Sequence, residues 1–243
     1  MKNASSFSTD EAASRYLPIL HEIAMRIELA SEISLGHTGA LAPFAREFVY
    51  LEFRKICELL ALGCLQLHGD LSAAKAKSIL KEWNAYNILT LLCKEYAHAF
   101  PVSADEDRRA KPPAITFGGN SNALSLSDFK TLYHECGTVL HRGTITAMRN
   151  AKPITHKEYE RVNMWLGKIT DLLNNHAVTR AQKKGFYLCK LRTTNGYPMC
   201  EVFTCETTGG VAIKSHYMNP IDIGYFQNMF VGDLSPQEAM PPK

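Results

Sequence analysis

The run Phe186-Tyr187-Leu188-Cys189-Lys190-Leu191-Arg192-Thr193-Thr194-Asn195-Gly196-Tyr197-Pro198-Met199-Cys200-Glu201-Val202-Phe203-Thr204-Cys205 is where the chain changes its period. Upstream, apolar residues recur every three or four positions; here they alternate, as on a strand with one buried face. Asn195-Gly196 lies between two alternating segments, Phe186 to Arg192 and Met199 to Cys205, and is the strongest short hairpin signal in the chain. With Asn195-Gly196 as a two-residue turn, Lys190 faces Glu201, Leu188 faces Phe203 and Leu191 faces Cys200. One opposite-charge pair and two apolar pairs then oppose each other across the strands. Gly209-Gly210 offers a second turn into Val211 to Tyr217, completing a three-stranded antiparallel meander. A tail rich in Asn, Pro and Gly follows.

Most of the chain before this run reads as helix. Leu17, Leu20, Ala24, Ile27 and Ala30 mark a first helix over about Thr9 to Ser31, with Pro18 as a true start or a kink. A second runs from about Pro43 to His68, proline suiting a first-turn position. Tyr50, Arg54 and Glu58 stand one turn apart on it, while Leu59 to Leu65 is apolar on nearly all sides and predicts a surrounded helix at the centre of a bundle. Ser72 to Phe100 reads as one long helix or two shorter ones with Ile79, Trp83, Tyr86, Leu89 and Leu92 in its stripe. Residues 101–124, with Pro112-Pro113 and Gly118-Gly119, carry little periodicity and read as a long loop: a flap, a partner-binding segment or a disordered one. Ser125 with Asp128, and Thr155 with Glu158, fit the capping pattern and start helices running to about His141 and Ala177. Short loops between such helices favour an antiparallel bundle. The expected fold is α+β: a mainly α antiparallel helical bundle over residues 1–178, a basic linker at 179–185, and a small C-terminal antiparallel β meander with its tail at 186–243.

Composition bounds the partners. The chain has 243 residues, 46% hydrophobic and 21% charged, with 27 Lys+Arg against 24 Asp+Glu and a net charge of +3. That suffices for a real core and excludes disordered or collagenous classes. A near-neutral total creates no global field, so a nucleic acid would have to use a local patch. Seven cysteines, an odd number with no C-x-x-C, read as free thiols of a reducing compartment. Met1 to Asp10 lacks the apolar region of a secretory signal, and Leu59 to Leu67, the longest strongly apolar stretch, is short of a membrane span. A soluble, cytoplasmic protein without a membrane partner is expected. P-loop, dinucleotide, zincin and nucleophile-elbow motifs are all absent, and no cofactor is indicated. Cys200, Cys205 and His216 fall on adjacent strands, but the two cysteines face opposite sides, so no metal site is expected.

The stretch Tyr133-His134-Glu135-Cys136-Gly137-Thr138-Val139-Leu140-His141-Arg142-Gly143 ends a late helix and precedes one final long helix. Its ending, Leu140-His141-Arg142-Gly143, together with Tyr50 to Glu58, resembles the HEPN (higher eukaryotes and prokaryotes nucleotide-binding) helical families over residues 40–178. The resemblance implies an RNA-associated bacterial stress or defence protein that acts as a homodimer, with His141 and His134 as its catalytic candidates and Arg142 as an anion contact. The family's R-x(4–6)-H motif is not matched at His141, since Glu135, Cys136 and Gly137 are not basic. His134 and His141 share a helical face, but seven residues separate them by about 10 Å.

Two further constellations come from the residues themselves. Tyr50, Arg54 and Glu58 form either a polar network around a ligand or an intrahelical ion pair. Arg180, Lys183, Lys184, Lys190 and Arg192 form a basic run without a countercharge, interleaved with Phe186 and Tyr187, as a nucleic-acid track would be. Two function classes follow: an RNA-associated protein, and a non-catalytic interaction or scaffold module that takes another protein through the 101–124 loop and the β unit.

Overall fold

The computed structural model describes residues 8–75, 79–111, 114–141, 156–180, 185–205 and 210–218. Helix α1 (Thr9–Ser34) starts at Ser8, whose side chain accepts the Glu11 backbone N–H, and Asp10 and Glu11 sit in its first turn. It continues through Pro18. Buried Tyr16, Leu17, Leu20 and Ile23 flank the proline and pack on α2 (Ala42–Leu67), so packing on both flanks outweighs the lost backbone bond. The approach of the two helices depends on Gly63, where a Cβ would lie 2.5 Å from the Tyr16 ring. The apolar turn of α2 is not surrounded on all sides, because Leu62 is 44% exposed.

Residues 72–100 hold no long helix. They comprise α3 (Ser72–Lys75), a 3-10 turn (Ile79–Lys81) and α4 (Ala85–Glu95). Asn84 caps α4 by accepting the Tyr86 and Asn87 N–H groups, and a side chain that satisfies those donors starts a new helix there. Trp83 consequently lies outside the stripe, 71% exposed. Helix α5 (Leu126–Leu140) carries the capping box that Ser125 and Asp128 predict. Helix α6 (His156–Leu173) stops before Ala177, and its expected cap Thr155 lies outside the described residues. Among the described residues no helix is long and apolar enough to cross a membrane.

The α+β class holds, with a larger sheet than the meander. Strands β1 (Val102–Asp107), β2 (Ala114–Phe117), β3 (Asn175–Thr179), β4 (Gly185–Lys190), β5 (Met199–Cys205) and β6 (Val211–Tyr217) form one antiparallel sheet in the order β2-β1-β3-β4-β5-β6. Residues 101–124 are therefore largely a hairpin at one sheet edge rather than a loop. The end of the expected last helix is β3, a central strand between β1 and β4. Three of the six strands begin before residue 179, so the sheet crosses the expected boundary and shares one core with the helices. Short β1 and β2 carry no alternation long enough to announce themselves; they pair with each other, and β1 joins them to the rest of the sheet through β3, remote in sequence.

The β4–β5 register also differs from expectation. Lys190 pairs with Met199, Leu188 with Glu201 and Cys189 with Cys200. The turn is a three-residue loop, Thr194 to Gly196: the Thr193 N–H donates to Tyr197 O and the Gly196 N–H to Thr193 O, each at 2.9 Å, with Gly196 at φ +84°. Pro198 then has no N–H to give, and regular pairing resumes at Met199. Each partner moves by two residues, which preserves the faces. His176, Val178, Tyr187, Cys189, Cys200 and Val202 face the helices, while Ala104, Ala177, Leu188 and Phe203 form a smaller apolar cluster on the outer face.

Candidate functional site

His134 and His141 are both exposed. His141 serves as the backbone cap of α5, its N–H donating to Gly137 O at 3.1 Å, and Arg142 lies outside the described residues. The residue between them that the fold does employ is Glu135. Its Oε1 accepts from Tyr50 Oη at 2.5 Å and Arg161 Nε at 2.6 Å; its Oε2 accepts from Arg161 Nη2 at 2.7 Å and Trp165 Nε1 at 3.3 Å. Burial alone would raise the Glu135 carboxyl, but the bonds from Arg161 and Tyr50 outweigh it and hold it below its ordinary value. Tyr50 moves the opposite way, raised by burial and by the carboxylate it binds. Both carboxylate oxygens are committed, so Glu135 has no lone pair free to take a substrate proton. It is a lock between α2, α5 and α6.

Tyr50, Arg54 and Glu58 therefore do not act as one set. Tyr50 turns to Glu135, whereas Arg54 pairs with Glu58 at 3.2 Å and lies over the Tyr133 ring at 5.2 Å. Lys55 closes on the same Glu58 at 2.9 Å. The sequence signal for the lock is faint: Glu135 borders the stripe of Phe129, Leu132 and Cys136, and Arg161 stands one turn before Trp165. Only packing of α6 against α5 joins the two.

The basic run is dispersed by the fold. Arg180 is buried, 7% exposed, with its guanidinium 5.8 Å from the Tyr187 ring centre. Lys190 pairs with Glu106 at 2.6 Å, and Arg192 pairs with Glu28 while donating to Gly196 O at 2.6 Å. Tyr187 enters the core and Phe186 stacks on Phe203 at 4.4 Å. The described members thus offer no open phosphate track with aromatics beside it; Lys183 and Lys184 lie outside the described residues. Cys200 faces inward and Cys205 is exposed, and among the described residues no group of His, Cys, Asp or Glu could hold a metal ion. His216 instead reaches Asp10 at 3.3 Å.

An open apolar groove lies elsewhere, at the root of the β1–β2 hairpin. A cavity of about 330 Å³ has Phe100, Val102, Phe117 and Ala177 as walls, and Tyr96, His98 and Thr179 at its rim. A second, of about 290 Å³, shares His98, Phe100, Val102 and Gly118 with it and extends to Ser125 and Leu172. Gly118 forms the waist at φ +70°, its N–H donating to Ser103 O at 2.7 Å. The Tyr96 and Thr179 hydroxyls bond each other at 2.9 Å, and His98 stands edge-on to Tyr96. Among the described residues no hydroxyl here is bonded to a histidine ring, the Thr179 hydroxyl reaching only the His98 backbone carbonyl, so the groove holds binding surface without a nucleophile–base pair. Phe117 and Val102 remain 42% and 39% exposed, and among the described residues β2 is one of the two edge strands of the sheet, the other being β6.

No protein-family model matches this chain, and comparisons with curated proteins and with solved structures likewise found no match.

Proposed function

We propose that this chain is a non-catalytic interaction protein that takes an extended segment of a protein partner along the edge of β2. An apolar side chain of that segment seats between Phe100, Val102 and Phe117. The observation that carries this reading is the continuity of the open apolar groove with a sheet edge that, among the described residues, pairs with no further strand. An added strand gains main-chain hydrogen bonds from the edge, and a pocket beside it selects one side chain. A cavity of about 330 Å³ is at the small end for ligand sites and suits one aliphatic or aromatic side chain. Support over an RNA-associated reading comes from the burial of Arg180, from the ion pairs of Lys190 and Arg192 within the fold and from the separation of His134 and His141.

The test is peptide display on the full chain with random extended peptides. Peptides sharing an apolar anchor are expected, with affinity lost at least tenfold in Phe117→Asp and retained in Ile213→Asp, at the far end of the same face. Failure to enrich any peptide, or binding indifferent to Phe117→Asp, overturns the proposal. So does salt-sensitive retention of total RNA, or RNA cleavage that disappears in His134→Ala or His141→Ala.

A further inference from the structure

Cys189 and Cys200 are direct partners on adjacent strands at the centre of the sheet, both on its inner face. The Cys189 thiol donates to the Cys200 sulfur at 3.2 Å, and neither residue has exposed surface. Directly opposed residues of an antiparallel pair have Cα atoms about 4.5–5.5 Å apart, inside the window of about 4.4–6.8 Å that a disulfide spans. The bond length is about 2.05 Å, so closing it requires a combined sulfur movement of little more than about 1 Å. The strands already hold both Cβ vectors on one face. Closure calls for only a small local approach of the two strands.

We propose that Cys189 and Cys200 are a redox-responsive pair that hydrogen peroxide converts into a cross-strand disulfide, stapling β4 to β5 within the native fold. In the first step the sulfur of one deprotonated cysteine attacks a peroxide oxygen. The O–O bond breaks, hydroxide leaves and takes up the thiol proton as water, and a sulfenic acid remains. In the second step the other sulfur attacks the sulfenyl sulfur; the S–S bond forms, the S–O bond breaks and a second water departs with the remaining thiol proton. Two thiols are oxidised and one peroxide is reduced to two waters.

The surroundings set the rate rather than the product. Burial pushes the Cys189 thiol well above its ordinary value. His176, its neighbour on β3, has both ring nitrogens engaged, by Tyr16 Oη at 2.9 Å and Leu173 O at 3.1 Å, and gives the thiol no base. Formation therefore waits on brief openings that admit a water-sized oxidant. Cys205, on the same strand but exposed, serves as an internal control.

The experiment treats the full chain with hydrogen peroxide, quenches, alkylates under denaturing conditions and maps peptides by mass spectrometry. The expected result is a loss of two hydrogens located to a linked pair of peptides carrying Cys189 and Cys200. The link is reversed by dithiothreitol, retained in Cys205→Ser and absent in Cys200→Ala. The oxidised chain is expected to melt roughly 5–10 °C higher, since the bond restrains the unfolded state. Full alkylation of Cys189 and Cys200 after peroxide treatment overturns the proposal, as does linkage confined to Cys205 or to bonds between chains. A link that forms only above the urea midpoint, or only with loss of the cooperative melt, overturns it too. The wild-type peptide map decides the matter even if Cys200→Ala does not fold.

Discussion

Acid stability should report on His176. The residue is wholly buried on β3, its Nδ1–H donating to Leu173 O and its Nε2 accepting from Tyr16 Oη. Both bonds suit the neutral ring, because a carbonyl can only accept. Burial lowers its pKa to about 4, against 6.5 for a free histidine. The unfolded chain therefore takes up a proton that the native chain refuses. Stability is fully present above pH 6.5 and is lost as pH falls toward 4. The loss attributable to this ring is about 2 kcal/mol between pH 7 and 5 and about 3 kcal/mol once pH is below 4.

His21 and His68, also lowered by burial, act in the same direction and form a common background. The Glu135 and Glu106 carboxyls are held below their ordinary value, so their contributions fade mainly at lower pH. Urea unfolding at pH 7, 6 and 5 should therefore be compared between the wild type and His176→Gln, which keeps an acceptor for Tyr16. The variant should lose about 2 kcal/mol less over that range. Parallel decline of the two proteins would refute a neutral, buried His176.

Other consequences follow from particular contacts. Glu135→Gln should cost about 2 kcal/mol in urea unfolding, because the Arg161 guanidinium loses its carboxylate, whereas the adjacent His134→Ala should stay within about 0.5 kcal/mol. Gly185 sits at φ +149° with a hypothetical Cβ 2.1 Å from Phe203 O, so Gly185→Ala should destabilise by roughly 2 kcal/mol or more in the same assay. Ser125→Ala removes half of the capping box on α5 and should lower the thermal midpoint by an amount equivalent to about 1 kcal/mol. Equal effects of Glu135→Gln and His134→Ala would count against the lock.

Local chemistry made much of this molecule readable from its residues. Periodicity located α1, α2, α5 and α6, since a buried helical stripe is written every three or four residues whatever it packs against. Capping is equally local, and Ser125 with Asp128 started α5 where expected. Alternation around Asn195-Gly196 found β4 and β5, although the turn glycine and Pro198 shifted their pairing by two residues.

What eluded the sequence was long-range. Val102–Asp107 and Asn175–Thr179 lie side by side in the sheet, a pairing between segments far apart in the chain that no short window contains. The same holds for function. Tyr50 and Glu135 are 85 residues apart, yet joining them converts two promising polar groups into a lock. Lys190 and Arg192 read as free cations until the fold brings Glu106 and Glu28 beside them. The groove at the β1–β2 hairpin could not be foreseen, because a concavity belongs to several elements at once. The sequence by itself determined α1, α2, α5 and most of α6, the capping box of α5 and the β4–β5 hairpin, through interactions between near neighbours. Only the tertiary structure decided which charges stay free, which apolar face stays open and which two of seven cysteines touch, because burial and pairing are set by residues distant along the chain.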